Sequence, residues 1–267
     1  MQLITFDALR CLDIPGTHYL KPELMFRHKE DIKAADWVLF PEYWQVNSLV
    51  YGLRKRIFPS VSSYHLGHDK IEMTRAFWAV CPELVPHTLI LPATPTAIEQ
   101  VLDSFAFPFI AKEVRNSMGR GVHLMDSAAA FGEYCRANAV LYVQEYLPIA
   151  RDLRVVYVGD QVISAYWRRG AEGEFRNNVA RGGEIDFEDI PAPALELVRR
   201  VSQALEIDHA GFDVAEIDGH YYLLEFNTLF GTAGLSRRRI SPGRYVLDYL
   251  ARISPQPTRP TDLRLSA

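Results

Sequence analysis

Cysteine is scarce in this sequence, and the residues that occur are far apart. Cys11, Cys81 and Cys135 form no C-x-x-C pair and match no zinc-ligand spacing. Such a distribution is typical of a protein from a reducing compartment and argues against a disulfide framework. We therefore expect free thiols and a cytoplasmic location.

Long apolar runs are missing as well. No window of the sequence approaches the roughly eighteen consecutive apolar residues that a membrane span requires. The first residues, MQLITFDALRCLD, contain no basic region followed by an apolar stretch. Neither a membrane span nor an export signal is therefore expected.

An excess of positive charge is also absent, because 29 Lys and Arg residues stand against 33 Asp and Glu residues, a formal net charge of −4. Without an overall basic field, nucleic acid is not favoured as a partner. Hydrophobic residues make up 48% of the 267 positions, and a chain of this size buries a large core. The length suggests two compact units or one elaborated unit.

The two ends of the chain differ in character. Residues 1–66 alternate between predicted strands, MQLITF and DWVLFP, and a predicted helix, QVNSLVYGLRKR, which indicates a small α/β domain with a parallel sheet. Residues 254–267 contain several Pro and Ser residues and no apolar pattern. They are expected to form a mobile tail.

Hairpin-linked strands dominate the middle of the chain. Thr94 and Ser127 each precede a predicted helix as its N-cap, and a turn at Gly159-Asp160 joins two strands. Residues 192–205 carry apolar side chains at helical spacing and should form an amphipathic helix. Because many neighbouring strands are joined by hairpins, we predict an antiparallel-rich α+β body rather than a doubly wound parallel sheet.

The stretch AGFDVAEIDGHYYLLEFNTLFG reads as a hairpin with oxygen-bearing side chains among apolar ones. Glu225 and Asn227 share a face because side chains alternate along a strand, whereas the face of Asp213 depends on the turn. A two-residue turn would separate the carboxylates, so we expect a three-residue loop over 217–219. Two carboxylates and an amide oxygen on one face suit a hard cation such as Mg²⁺. The alternative is three solvated residues on an exposed face.

A second group of residues suggests a phosphate site. Lys112 ends an apolar run, and Gly119 and Gly121 follow in the text MGRG. Backbone amides at glycines can surround phosphate oxygens, and a lysine adds positive charge. The loop joins two strands and lacks the Walker A text. The alternative is an ordinary glycine turn beside a strand-end lysine.

Arginines are concentrated in YWRRGAEGEFRNNVARGGE, which includes Arg168, Asn178 and Arg181. Planar guanidinium groups could neutralise a transferring phosphoryl group, although a solvated loop is the alternative. The later run LSRRRI could bind an acidic substrate, or it could be a solvated charge run.

In their order along the chain, three motifs resemble the ATP-grasp ligases of the RimK-like branch, namely FIAKEVRNSMGRGV, VQEYLPIARDLRVVYVGDQVISAYWRRGAEGEFRNNVARGG and GFDVAEIDGHYYLLEFN. The resemblance extends from about His68 to Leu235. It implies two α+β subdomains with ATP between them, residues 67–146 with a glycine flap and residues 147–253 with a metal site. Residues 1–66 would be the small domain that precedes them.

The resemblance also implies a role for each candidate residue. The residues implied to bind the nucleotide are Lys70 and Lys112 at the phosphates, Gly119 and Gly121 in the flap, Glu145 and Tyr146 at the adenine, and Asp152 at the ribose. The residues implied to act on the transferred phosphoryl group are Arg168, Asn178 and Arg181, and the implied metal ligands are Asp213, Glu225 and Asn227.

The implied activity is ADP-forming ligation of a carboxylate to an amine, dependent on ATP and on Mg²⁺ or Mn²⁺. The substrates would be small molecules or peptides, and homo-oligomers are common in the family. Two other functions stay open, a small-molecule kinase on the same scaffold and a non-catalytic nucleotide-binding module. After the implied metal ligand, the family's usual Pro-Gly pair is replaced by Leu229-Phe230, so the resemblance does not extend to substrate identity.

Overall fold

The computed structural model of the chain describes residues 1–114, 121–170 and 184–254. The strands of this part are β1 (Leu3–Thr5), β2 (Thr17–Tyr19), β3 (Trp37–Leu39), β4 (Ile57–Phe58), β5 (Thr88–Pro92), β6 (Phe109–Lys112), β7 (Val122–Met125), β8 (Val140–Glu145), β9 (Arg151–Val158), β10 (Gln161–Arg169), β11 (Glu184–Asp186), β12 (His209–Ile217) and β13 (His220–Asn227). The α-helices are α1 (Lys29–Ala34), α2 (Tyr43–Asn47), α3 (Val61–His68), α4 (Lys70–Val80), α5 (Pro95–Ser104), α6 (Ala128–Ala137), α7 (Ala192–Ala204), α8 (Ala233–Arg237) and α9 (Pro242–Ile253). Most of the expected tail lies outside the described residues.

The first sheet is parallel, with the strand order β2-β1-β3-β4. This confirms the parallel sheet that the sequence predicts for the N-terminal region. The helix predicted over 45–56 is shorter than expected, because α2 passes into a π-helical turn, Ser48–Gly52, and Arg54 then takes a positive φ of 55°. That left-handed residue ends the helix and directs the chain into β4.

The second sheet is antiparallel, with the order β5-β8-β6-β7. Helices α5 and α6 pack on it through buried side chains that include Val101 and Phe131. Both predicted N-caps are present, since the hydroxyls of Thr94 and Ser127 each accept a hydrogen bond from the backbone N–H three residues later. The N-cap residues in the sequence were therefore sufficient to predict where these two helices begin.

The third sheet is also antiparallel, with the order β11-β10-β9-β12-β13, and it carries most of the candidate site. One face is covered by α4 and α7, with Phe77 and Val198 among the buried contacts. The other face packs against α9 and the N-terminal region, where Val246 and Phe58 are buried. The predicted antiparallel-rich α+β body is confirmed.

Two aspartates attach the N-terminal region to this body. Asp208, at the start of β12, accepts hydrogen bonds from Ser60 N at 2.7 Å and from Ser63 Oγ at 3.2 Å. Asp13 accepts from Gly243 N at 2.7 Å and from Ser241 Oγ at 2.6 Å, at the beginning of α9. Residues more than 140 positions apart are thereby fixed to each other.

The described helices include none that is both long and apolar enough to cross a bilayer. Cys11, Cys81 and Cys135 are buried free thiols, as the spacing predicts.

Candidate active site

The hairpin of β12 and β13 turns in two residues rather than three. Ile217 pairs directly with His220, and the turn residues Asp218 and Gly219 have φ values of 51° and 79°. Two consecutive positive φ values are typical of the tight turn that Asp-Gly favours. The three-residue loop expected from parity is therefore wrong.

A β-bulge restores the shared face that the loop was expected to provide. Val214 pairs with Leu223, whereas the preceding residue, Asp213, pairs with Glu225. Leu224 is the extra residue, and an extra residue in one strand shifts the alternation by one position. Asp213 and Glu225 are thus direct cross-strand neighbours on one face, as predicted. The shared face results from the bulge and not from a three-residue loop.

Asn227 is the third candidate metal ligand. It lies two residues after Glu225 on the same strand, and its Nδ2 donates a hydrogen bond to Glu225 Oε1 at 3.4 Å. In the described residues, no cluster of three or more His, Cys, Asp or Glu side chains is arranged to hold a metal ion. Asp213, Glu225 and Asn227 do not form such a cluster, because they combine two carboxylates with one amide.

Four charged side chains form a buried ion cluster beside this group. The strand register sets Arg168 of β10 opposite Asp152 of β9, and Asp213 of β12 opposite Arg154 of β9. Arg168 Nε lies 2.6 Å from Asp152 Oδ1, and Arg168 Nη2 lies 2.9 Å from Asp213 Oδ1. Arg154 Nε lies 2.6 Å from the same Asp213 oxygen. Two arginines and two aspartates therefore compensate each other on one face of three adjacent strands.

Burial and pairing set the protonation of this cluster. Burial disfavours the charge on Arg168, but the neighbouring Asp213 and Asp152 outweigh it and raise the pKa of the guanidinium. Burial raises the pKa of Asp152 to about 6, against the opposing influence of Arg168. Arg168 is consequently a fixed positive charge, held from two sides.

The facing sheet contributes Lys112, the last residue of β6. Only 8% of this residue is exposed, and Nζ donates to Gln144 Oε1 at 2.7 Å. Burial lowers the pKa of Lys112 to about 8, with Glu225 acting to raise it and Lys70 to lower it. Glu225 and Asp213 of the third sheet and Lys70 of α4 thus lie close enough to Lys112 to affect its charge, and we refer to the region between the two sheets as the cleft.

Helix α4 connects the two sides of the cleft. Thr74 Oγ1 and Tyr142 OH on β8 are 2.7 Å apart, and Phe226 N donates to Met73 Sδ at 3.3 Å. Lys70 is the first residue of this helix, and the side chain of Asp69 accepts from the backbone N–H groups that follow. The N-terminus of α4 therefore fixes the position of Lys70 at the cleft.

The candidate adenine residues lie where β8 ends. His87 N donates to the carboxylate of Glu145 at 2.6 Å, and Glu145 N donates to His87 O at 2.9 Å. Tyr146 is 36% exposed. Asp152, implied to bind ribose, is buried, and its Oδ1 accepts a hydrogen bond from Arg168 in the ion cluster.

Part of the predicted site lies outside the described residues. Gly119, Asn178 and Arg181 lie outside the described residues, whereas Gly121 begins the return into β7 with a φ of 71°. The carbonyl of Gly121 accepts from Glu113 N at 2.7 Å. Glycine is favoured there because other residues rarely adopt that φ.

Sequence reasoning missed Arg154. A signal for it was present, because Arg154 follows Asp152 by two residues within an otherwise apolar strand, DLRVVYV. Residues two apart on a strand share a face, so a charge of opposite sign at that spacing indicates a buried pair. The residue is 8% exposed and contacts Asp213.

A family model described as the RimK-like ATP-grasp domain matches residues 84–241, more than half of the chain. Among curated proteins, a probable alpha-L-glutamate ligase from Citrobacter koseri is 33% identical over 136 residues, which are 49% of this chain and 45% of that protein. A ribosomal protein bS6–L-glutamate ligase from Escherichia fergusonii is 32% identical over 136 residues, with the same coverage. The chain spans about half the length of these curated relatives.

Solved structures match over nearly the whole chain. A RimK domain ATP-grasp protein from Sphaerobacter thermophilus has a TM-score of 0.67 at 14% identity, covering 93% of this chain and 99% of that one. D-alanine–D-alanine ligase from Bacillus anthracis, complexed with ATP, has a TM-score of 0.69 at 15% identity, covering 95% and 97%. These likenesses establish a common fold.

Proposed function

The chain belongs to the RimK-like ATP-grasp family, and we propose that it is an ADP-forming ligase that joins a carboxylate to an amine. The arrangement that carries the proposal is the cleft between two antiparallel sheets, with Lys112 on one side and the Asp213–Glu225 pair on the other. An enzyme that uses ATP needs positive charge to bind the phosphates, and it needs carboxylate oxygens to hold the cation. We also propose a cytoplasmic location, where ATP is available.

The residues on the cleft fit a magnesium ion. Asp213, Glu225 and Asn227 offer oxygen atoms from one face of a hairpin, the donor type that Mg²⁺ or Mn²⁺ prefers. Because Arg154 and Arg168 already compensate Asp213, a bound cation would mainly compensate the charge of Glu225. When bound, it would supply charge stabilisation to phosphoryl oxygens.

The nucleotide would lie along the cleft. Lys112 and Lys70 would neutralise phosphate charge, with Gly119 and Gly121 covering it, while Glu145 and Tyr146 would contact the adenine at the end of β8. We retain Asp152 as the ribose residue. Arg168 engages only Oδ1 of Asp152, at 2.6 Å, so Oδ2 would be the oxygen that accepts a ribose hydroxyl.

The chemistry would proceed in two steps. An oxygen of the substrate carboxylate attacks the γ-phosphorus of ATP, ADP leaves, and an acyl phosphate forms. The amine nitrogen then attacks the acyl carbon, phosphate leaves, and a proton is lost as the amide forms. Arg168, with Asn178 and Arg181, would stabilise negative charge on the transferring phosphoryl group.

The proposal for the substrates extends to their chemical class. The curated relatives are named as glutamate ligases, and one acts on a ribosomal protein. Because this chain matches less than half of those proteins, we propose small-molecule or peptide carboxylates and amines rather than glutamate in particular.

Trapping with hydroxylamine tests the proposal. The chain would be incubated with ATP, Mg²⁺, hydroxylamine and a panel of carboxylic acids that includes hydroxy acids, and hydroxamate, ADP and phosphorylated hydroxy acid would be quantified. A ligase yields both products, because hydroxylamine intercepts the acyl phosphate. A kinase yields ADP and a phosphorylated hydroxy compound without hydroxamate, and a binding module yields neither product. Either of the latter results would overturn the ligase proposal.

A further inference from the structure

The chain that follows the last candidate metal ligand turns back across strand β12. Asn227 ends β13, and it pairs with Gly211 of β12 in the strand register. His209, Gly211 and Asp213 lie two residues apart along β12, so their side-chain positions share one face of the sheet. The residues after Asn227 contact this row, and they can therefore fix the position of the ligand beside them.

Two polar contacts hold Thr228, the residue next to Asn227. Its carbonyl oxygen accepts a hydrogen bond from His209 Nδ1–H at 2.7 Å, and its hydroxyl donates to the carbonyl of Ser63 on α3. Burial lowers the pKa of His209 to about 3, so the ring is neutral, and its proton lies on Nδ1 because a carbonyl oxygen can only accept. The backbone next to Asn227 is thereby fixed to two other elements.

Phe230 packs against the same histidine. The two rings are stacked, with centroids 4.7 Å apart and an interplanar angle of 22°. Phe40 and Phe58, both from the N-terminal region, contact the ring of His209 edge-on at centroid distances of 5.3 and 5.4 Å. These three aromatic rings fix the orientation in which His209 donates to the Thr228 carbonyl.

The side chain of Phe230 also reaches the ion cluster of the candidate active site. A β-carbon added at Gly211 would lie 2.9 Å from Phe230 Cβ and 2.5 Å from Arg154 Nη1, so these two side chains occupy the space that glycine leaves open. Arg154 in turn holds Asp213, with Nε 2.6 Å from Oδ1 and Nη2 3.2 Å from Oδ2. Phe230 therefore lies between the segment that follows Asn227 and the arginine that holds Asp213.

Protein does not enclose this segment on all sides. A pocket of about 510 Å³ opens between residues 7–13 and residues 230–246, and Phe230 forms part of its wall. Leu229 is 47% exposed. Because the segment borders open space, its position depends on the specific contacts of Thr228 and Phe230 rather than on dense packing.

We propose that His209 and Phe230 are positioning residues for the metal site. They hold the backbone that follows Asn227, and Phe230 also supports Arg154 against Asp213, so the ligand oxygens are placed before a cation binds. Substitution of groups that orient metal ligands typically weakens metal binding about 10- to 100-fold. Phe230 stands where the family usually has part of a Pro-Gly pair, so this role is assigned from the contacts of this chain. The inference rests on the proposed function, which includes the metal site.

Calorimetric titration of the full chain with AMP-PNP, a non-hydrolysable ATP analogue, tests the proposal without turnover. The dissociation constant is measured in EDTA and at one fixed Mg²⁺ concentration. In the wild type, Mg²⁺ should tighten binding, because protein oxygens and phosphate oxygens are ligands of the same cation. Loss of a residue that positions the metal ligands should weaken binding in Mg²⁺ and leave the dissociation constant in EDTA within about twofold of the wild type.

Phe230→Leu should weaken AMP-PNP binding in Mg²⁺ about tenfold, because leucine keeps apolar volume but loses the stacked ring. Phe131→Leu is the matched control, since Phe131 is an equally buried ring that packs on Phe109 at 5.1 Å in the core of the second sheet. Both variants should lose similar stability in urea unfolding. Equal AMP-PNP affinities of the two variants in Mg²⁺ would overturn the role of Phe230.

Two substitutions at residue 209 separate the hydrogen-bond donor from the ring. His209→Phe keeps a ring against Phe230 but leaves the Thr228 carbonyl without its donor, so AMP-PNP binding in Mg²⁺ should weaken about tenfold. His209→Asn supplies a side-chain N–H in place of Nδ1–H, and it should bind at least about threefold more tightly than His209→Phe. Identical affinities of these two variants, both confirmed as folded by circular dichroism, would overturn the role of His209.

The outcomes separate this inference from the proposed function. If Mg²⁺ tightens AMP-PNP binding equally in the wild type, Phe230→Leu and His209→Phe, the inference is overturned and the proposed use of ATP and Mg²⁺ stands. If Mg²⁺ does not affect AMP-PNP binding by the wild type, the metal site is overturned together with the inference.

Discussion

Asp213 lies directly across the hairpin from Glu225, although the two-residue turn alone would set them on opposite faces. The single extra residue Leu224 makes the difference. The pair is asymmetric in its surroundings, because Asp213 is held by Arg154 and Arg168 whereas Glu225 has Asn227 as its neighbour. The two carboxylates should therefore respond differently to substitution.

Asp213→Asn should destabilise the folded chain by about 3 kcal/mol, because it leaves two buried arginines incompletely compensated. Glu225→Gln should change stability by less than about 1 kcal/mol, since the buried Lys112 that it influences is also influenced by Asp213. Urea unfolding of both variants, monitored by tryptophan fluorescence, measures the difference. Equal losses would contradict the ion cluster as described.

Lys112→Ala and Glu225→Ala should each abolish most ATP turnover. Losing about 3 to 5 kcal/mol of transition-state stabilisation lowers the rate about 10² to 10⁴-fold. ADP release with a confirmed pair of substrates is the measurement. Lys33→Ala serves as the control, because Lys33 forms an exposed pair with Glu30. Near-normal turnover in both cleft variants would remove these residues from the site.

Asp208 should make stability depend on pH. Burial raises the pKa of Asp208 to about 7, so the folded chain binds this proton more tightly than the unfolded chain does. The resulting stability is fully present below about pH 4 and is lost as the pH rises through 7. Asp208→Asn keeps an oxygen for the Ser60 N–H and should be more stable than the wild type by about 2 to 4 kcal/mol at pH 8, but not at pH 4.

The measurement is thermal or urea unfolding from pH 4 to pH 8. Asp160→Asn is the control, since Asp160 forms an exposed ion pair with Arg252. If the stability curves of the wild type and Asp208→Asn run parallel across this range, the carboxylate does not retain its proton in the folded chain.

Asp13→Ala should cost about 1 to 2 kcal/mol, because Asp13 accepts from Gly243 N in the manner of a helix N-cap supplied from a distant segment. Gly243→Ala should also destabilise, since its β-carbon would lie 2.5 Å from Asp13 Cγ. The two losses should not add, because removing the Asp13 side chain relieves part of the steric conflict. A double-mutant cycle by urea unfolding measures the coupling, and strict additivity would argue against this contact.

Elements with local chemical signals could be predicted from the sequence. Thr94 and Ser127 cap helices through bonds to residues three positions away, and the Gly159-Asp160 turn joins β9 and β10 as predicted. The amphipathic spacing of residues 192–205 corresponds to α7 within one residue at the C-terminal end. These signals depend on neighbours in the chain, so no tertiary information was needed.

Other features depend on contacts between distant segments. The bulge at Leu224 is not encoded by the turn, and it forms where Phe212 and Phe226 must share the buried face with α4 and α7. Residues 7–13 and residues 230–246 line one pocket, although no periodicity links segments so far apart. The sequence could therefore predict the candidate metal ligands. It could not predict the bulge that aligns them or the pocket beside them.

The attachments made by Asp13 and Asp208 also determine which part of the molecule can move. They join the N-terminal region to α9 and to β12, so these elements should travel as one rigid unit. The sheet that carries Lys112 is linked to that unit through α4, whose Thr74 contacts Tyr142. Any change in the width of the cleft should therefore come from rotation of the β5–β8 sheet about α4, which would carry Lys112 towards or away from stationary carboxylates.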